Sequence, residues 1–153
     1  VDLERIIPTL GKMLNYESLH AITEAIVLDA LSEKLDTAMA RLLGERFSEA
    51  DYVQAYRSTA TRAERARQLA LVQELGEALC ELVKVPLLSF TLSMMKGPAR
   101  LARLGDLHDF LDTGFSTFKK LKKPADFVAT ITGREGRVLA NIWAGRAEPF
   151  DVY

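Results

Sequence analysis

The sequence predicts an all-α protein, an irregular antiparallel bundle of about six or seven helices, and three observations carry that expectation. Apolar residues recur at three- and four-residue spacing through most of the 153-residue chain. Helix-forming Ala, Leu, Glu, Lys and Arg dominate a composition with only five prolines. No alternating stretch is long enough to propose a sheet. The most apolar run, Val85 to Met95 (VPLLSFTLSMM), carries no charge. It reads as a helix from Pro86 to Met95 that is apolar on nearly all sides, and so as the buried centre of the bundle. The run falls short of the roughly 18 apolar residues that span a bilayer, so no membrane insertion is expected.

Taken in order, Asp2 to Leu14 carries an apolar stripe interrupted by Pro8, which kinks that helix or starts it. Asn15 is placed to cap a long helix, Glu17 to Leu43, whose stripe runs Leu19, Ile22, Ile26, Leu28, Leu31, Leu35, Met39 and Leu42, with Gly44 at its stop. Ser48 with Asp51 resembles a weak capping box and Thr61 with Glu64 is a better one, marking two further helices, with the pattern leaving open whether Arg57 to Ala60 breaks them or runs through as one. The second of these should bury Ala66, Leu69, Leu75, Leu79 and Leu82, and end before Val85, since the residue preceding Pro86 is biased out of the α region. Gly97 and Pro98 should end or bend the central helix, with a short helical turn over Ala99 to Leu104 after it. Asp106 can cap the next helix, whose stripe is Leu107, Phe110, Leu111, Gly114, Phe115, Phe118 and Leu121. A glycine on that stripe predicts a close helix crossing at Gly114. Pro124 opens the last helix, with Phe127, Val128, Ile131, Val138, Leu139, Ile142 and Trp143 inward and a break possible at Gly133 or Gly136.

The length is that of a single domain, 1–153, with residues 145–153 an irregular tail. Lys plus Arg is 20 against 21 for Asp plus Glu, so no global field draws the chain to nucleic acid or anionic lipid. Cys80 is the only cysteine, which excludes an intramolecular disulfide, and its helical setting reads as a small buried thiol. The first residues show no basic stretch leading into an apolar one, from which a cytoplasmic location is expected.

Three constellations could carry chemistry. Glu17, His20 and Glu24 lie at i, i+3 and i+7, the Glu-x-x-His spacing of metal-binding bundles, but the second half-site such bundles require is missing. His108 and Asp112 are helical neighbours beside Asp109, and read first as an exposed ion pair near a helix N-terminus. Lys119, Lys120, Lys122 and Lys123 crowd a helix end, and with Lys96, Arg100 and Arg103 form a candidate anion-binding patch. Exposed aromatics interleaved with these cations are absent, and Asp109 and Asp112 would repel phosphate, so nucleic-acid binding is disfavoured. No phosphate loop, nucleophile elbow or H-E-x-x-H motif is present.

The leading expectation is therefore a non-enzymatic protein-interaction or regulatory module, a homodimer through the long Glu17 to Leu43 helix. The alternatives are a metal- or small-ligand-binding bundle using the two histidine clusters, and a weak nucleic-acid or anion binder using the basic patch. No particular cofactor is implied.

Overall fold

A computed structural model of the protein describes residues 15–101 and 103–152. Among them the chain forms six helices and no strand: α1 (Tyr16–Leu43), α2 (Glu49–Ser58), α3 (Arg62–Leu82), α4 (Leu88–Leu101), α5 (Gly105–Lys119) and α6 (Pro124–Ala144). The fold is all-α. The helix expected over Asp2 to Leu14 lies outside the described residues. The chain divides into two compact units, each assembled from separated segments: one takes the chain through Thr23 together with Leu75–Asp126, the other Glu24–Glu74 together with Phe127–Tyr153.

Helix starts follow local chemistry. The Ser18 amide donates to Asn15 Oδ1 at 2.9 Å, which satisfies one donor that the first turn of α1 leaves free. At α2 the Asp51 amide donates to Ser48 Oγ and the Ser48 amide donates back to Asp51 Oδ2. The same reciprocal pair joins Thr61 and Glu64 at α3. Gly44, at φ +66°, stops α1 in a conformation that costs glycine little.

In the first unit Ala21, Leu82, Leu92 and Phe115 form the buried cluster, with Leu75, Leu79 and Leu88 packed against it. Here the structure corrects the sequence reading in several places. The central helix is not buried all round: it starts at Leu88 rather than Pro86, buries Leu92 and Met95, and leaves Phe90 and Met94 exposed. It also runs through Gly97 and Pro98 to Leu101, so no separate turn forms over Ala99 to Leu104. Pro98 removes the hydrogen bond to the Met94 carbonyl, but both residues lie on the exposed side, where water can take the orphaned group. In α5 the cap is Leu104, with no side-chain bond, and Asp106 sits inside the first turn. Phe110 is exposed, and a side chain at Gly114 would meet nothing within 4 Å, so there is no close crossing there.

In the second unit the core is Ala25, Leu35, Met39, Ala55, Leu71, Val128, Leu139 and Ile142. Leu42 and Phe127, expected inward, are exposed. α6 stays continuous through Gly133 and Gly136. The buried position expected for Ala66 is taken instead by Arg65, 3% exposed, whose guanidinium lies 4.1 Å above the Tyr56 ring. A ring face offers a buried cation an electrostatic partner that is not a carboxylate. Tyr56 in turn meets the Trp143 edge at 5.7 Å and stacks near Tyr52 at 6.2 Å, which ties α2 to α6. Burial pushes the Tyr56 hydroxyl up from its ordinary value, opposed by the Arg65 charge.

Two outcomes follow from these local settings. Gly114→Ala should stabilise the protein by about 0.5–1 kcal/mol, read as a Tm rise of roughly 2–4 °C. The Glu64 carboxyl is held at about 2 by the Lys34 ammonium 2.7 Å away and by Thr61. A depressed carboxylate contributes fully above its unfolded value and loses that contribution as pH falls toward its folded one. Thermal melts between pH 5 and pH 2 should therefore fall less steeply for Glu64→Gln than for the parent; equal slopes would mean the pair contributes nothing.

Candidate functional site

α4 presents its apolar residues in two directions. Leu92 and Met95 are buried and Leu88 half-buried, on the side packed against α5 and the core. Leu87, Phe90, Met94, Gly97 and Leu101 follow one another at three, four, three and four residues, so they form one stripe on the other side. Leu87 is 75% exposed, Phe90 and Met94 60% and Leu101 89%. At 1.5 Å per residue the stripe is about 21 Å long. Four such side chains in line make an apolar patch on the order of several hundred Å², the upper end of what monomeric proteins leave uncovered.

The backbone at the head of the stripe is strained. Leu87 has φ +65°, a left-handed conformation that costs a residue with a Cβ on the order of 1 kcal/mol or more. A glycine would adopt it freely, yet the position holds a large apolar side chain that points into solvent.

His108 fixes which way α4 is turned. It is 5% exposed, against the expectation of an exposed ion pair, and its Nε2–H donates to the Leu92 carbonyl at 2.7 Å. Its Nδ1 has no hydrogen-bond partner and lies 3.5 Å from Asp109 Oδ1. Leu92 lies on the buried side of α4, so this bond and the apolar cluster together hold the stripe outward.

The basic residues singled out in the sequence border this stripe. Ser89, Ser93, Lys96 and Arg100 lie along one edge of it at helical spacing. Lys119 donates to Ser89 Oγ at 2.9 Å, which brings the cluster of Lys119, Lys120, Lys122 and Lys123 beside the start of α4. Arg103 follows the other end, also with positive φ. No acidic residue occurs between Glu81 and Asp106. Lys123 pairs with Asp126 at 3.7 Å, outside the stripe.

The candidate metal ligands are placed differently. Glu17 and His20 are exposed on α1, with the His20 ring 6.2 Å from Tyr16, and Glu24 is half-buried on the same helix. Asp112 is half-buried on α5. Among the described residues no three His, Cys, Asp or Glu side chains come together as a metal site. Cys80 is buried and free. No helix of the described residues is long and apolar enough to cross a membrane.

A family model matches residues 1–149, nearly the whole chain, and its description is "Domain of unknown function (DUF8198)". The chain belongs to the DUF8198 family. No curated protein and no solved structure matches it. In this DUF8198 chain the outward stripe is the feature that a reading of Val85 to Met95 as wholly buried misses. The three-four alternation of Leu87, Phe90, Met94 and Leu101 was present in the sequence, but a second apolar set beside it, Leu88, Leu92 and Met95, masked which side faced out. His108→Ala removes a buried hydrogen bond and leaves a cavity, so it should destabilise the DUF8198 fold by about 2 kcal/mol in urea unfolding. A change within a few tenths would mean that the apolar cluster alone orients α4.

Proposed function

We propose that the protein is a docking module that binds an amphipathic helix of another protein along the α4 stripe, and that the docked helix carries acidic residues beside its apolar ones. The observation that carries this reading is the uncovered three-four stripe of Leu87, Phe90, Met94 and Leu101. That spacing is the one at which a second helix packs side by side, and Gly97 in its midst gives a partner side chain open space. Lys96, Arg100, Arg103 and the lysine cluster select the sign of the partner's charge, since like charges along a helix seam repel. The same rim opposes a second copy of the chain on this face. Of the exposed large apolar residues on α1, Tyr16, Val27 and Leu42 stand about 16 and 22 Å apart along the axis, too far to form one seam. A single, buried, unpaired Cys80 fits a cytoplasmic setting.

The test uses two synthetic helical peptides of about 20 residues with the same leucine seam, one flanked by Glu and one by Lys. The Glu-flanked peptide should bind saturably and the Lys-flanked one far more weakly. Phe90→Ser with Met94→Ser should lower the affinity at least about tenfold. Leu87→Gly should also weaken binding while raising the melting temperature, because it relieves the left-handed strain; this variant separates lost docking from lost folding. Equal binding of both peptides, or of neither, would overturn the proposal. So would a dimer in sedimentation that the Phe90 and Met94 changes abolish, which puts a second copy on the stripe. Binding to phosphatidylserine vesicles without peptide binding would put a lipid surface there instead.

A further inference from the structure

The second unit holds a cleft of about 560 Å³ between α2 and the chain that follows α6. From the geometry we infer that this cleft binds a small ligand through an oxyanion, phosphate or carboxylate, gripped by Arg57 and Arg146. The volume is within the roughly 300–1,000 Å³ range of small-molecule sites. α2 supplies Val53, Gln54, Arg57 and Ser58 to one wall, and the returning chain supplies Arg146 and Pro149 to the other. The apolar residues give the ligand body a surface, and each wall contributes one arginine.

The second wall is built, although it contains no helix. Gly145, at φ +70°, reverses the chain out of α6, and the Arg146 amide then donates to the Asn141 carbonyl at 3.1 Å. Asn141 Nδ2 donates to the Pro149 carbonyl at 3.1 Å and Arg137 Nη2 to the Val152 carbonyl at 3.1 Å. Pro149 is buried, and the Phe150 ring lies 5.9 Å from Tyr52. The segment is thus tied to α6 by three hydrogen bonds and to α2 by a ring contact. A wall held this way keeps Arg146 near the cleft before any ligand arrives, which spares binding the cost of ordering it.

Charge decides the ligand class. Neither the Arg57 nor the Arg146 side chain makes a hydrogen bond or ion pair among the described residues, whereas Lys34, Arg67, Lys84 and Lys123 each have a carboxylate. Two guanidinium groups on opposite walls of one cleft offer planar, paired N–H donors, which match phosphate and carboxylate oxygens better than an ammonium does. The Gln54 amide adds a neutral donor beside them. Glu49 lines the cleft two helical turns from Arg57, about 12 Å along the axis. A polyanionic strand following α2 would run onto that carboxylate, so the anionic part of the ligand is confined to the arginine end.

The probes are inorganic phosphate and succinate, titrated separately into the full chain at about 0.15 M salt and followed by amide chemical shifts. Saturable shifts should appear at Gln54, Arg57 and Arg146. Arg57→Gln and Arg146→Gln should each weaken binding about tenfold or more, and the double variant should abolish it. Both residues are exposed, and a dispersed amide spectrum will confirm that the variants fold. Lys119→Gln with Lys120→Gln should leave the affinity unchanged, since those lysines belong to the other unit. Saturation by phosphate alone assigns a phosphate ligand, by succinate alone a carboxylate, and by both the shared oxyanion chemistry. No saturation with either probe overturns the inference. Unchanged midpoints in the arginine variants, or shifts spread evenly over all exposed cations, do the same.

Discussion

The hydrogen bond from His108 to the Leu92 carbonyl governs more of this structure than its single donor suggests. A buried imidazole needs a partner, and the partner here is a helix carbonyl on the buried side of the neighbouring helix. Once α4 is turned so that Leu92 meets His108 and Phe115 shares its cluster, the remaining apolar residues have only solvent to face. The exposed stripe is thus a geometric result of how the core is satisfied, and the same bond that stabilises the first unit turns the stripe outward.

The second unit is held by different means. Two of its helices, α2 and α3, begin at reciprocal caps, and its interior joins an aromatic series, Tyr52, Tyr56 and Trp143, to a buried guanidinium. Among the described residues Arg65 donates to Gln68 Oε1, at 3.4 Å, and its Nε and Nη2 have no acceptor. Its principal compensation is the face of the Tyr56 ring.

How legible these features were depends on the range over which each is decided. Asn15, Gly44, Ser48 and Thr61 were readable because a cap is settled within four residues. The capping pattern also placed the start of α3 correctly. Which side of α4 lacked a neighbour was not readable, because an apolar residue looks the same in sequence whether it meets a core or water. Pro98 looked like a stop, and was passed because its missing donor falls where water can serve. Gly114 looked like a contact point, and its surroundings are open. Arg65 was passed over and His108 misplaced for a common reason: a polar residue is assigned to the surface unless its buried partner is known, and those partners, a tyrosine ring nine residues away and a carbonyl sixteen residues away, carry no local signature. The Arg57 and Arg146 cleft joins residues nearly ninety positions apart, beyond any spacing rule.

The way the chain is shared between the two units bears on how it is made. Neither unit is a contiguous stretch: the first is interrupted by Glu24–Glu74 and the second by Leu75–Asp126. Emerging from a ribosome, the chain offers half of the second unit early, yet α6, which supplies Val128, Leu139 and Ile142 to that core, comes last. The first unit has all its segments as soon as Asp126 is out. The interleaving therefore sets an order of completion, the first unit before the second, and it means that neither unit can be excised as one contiguous segment free of the other.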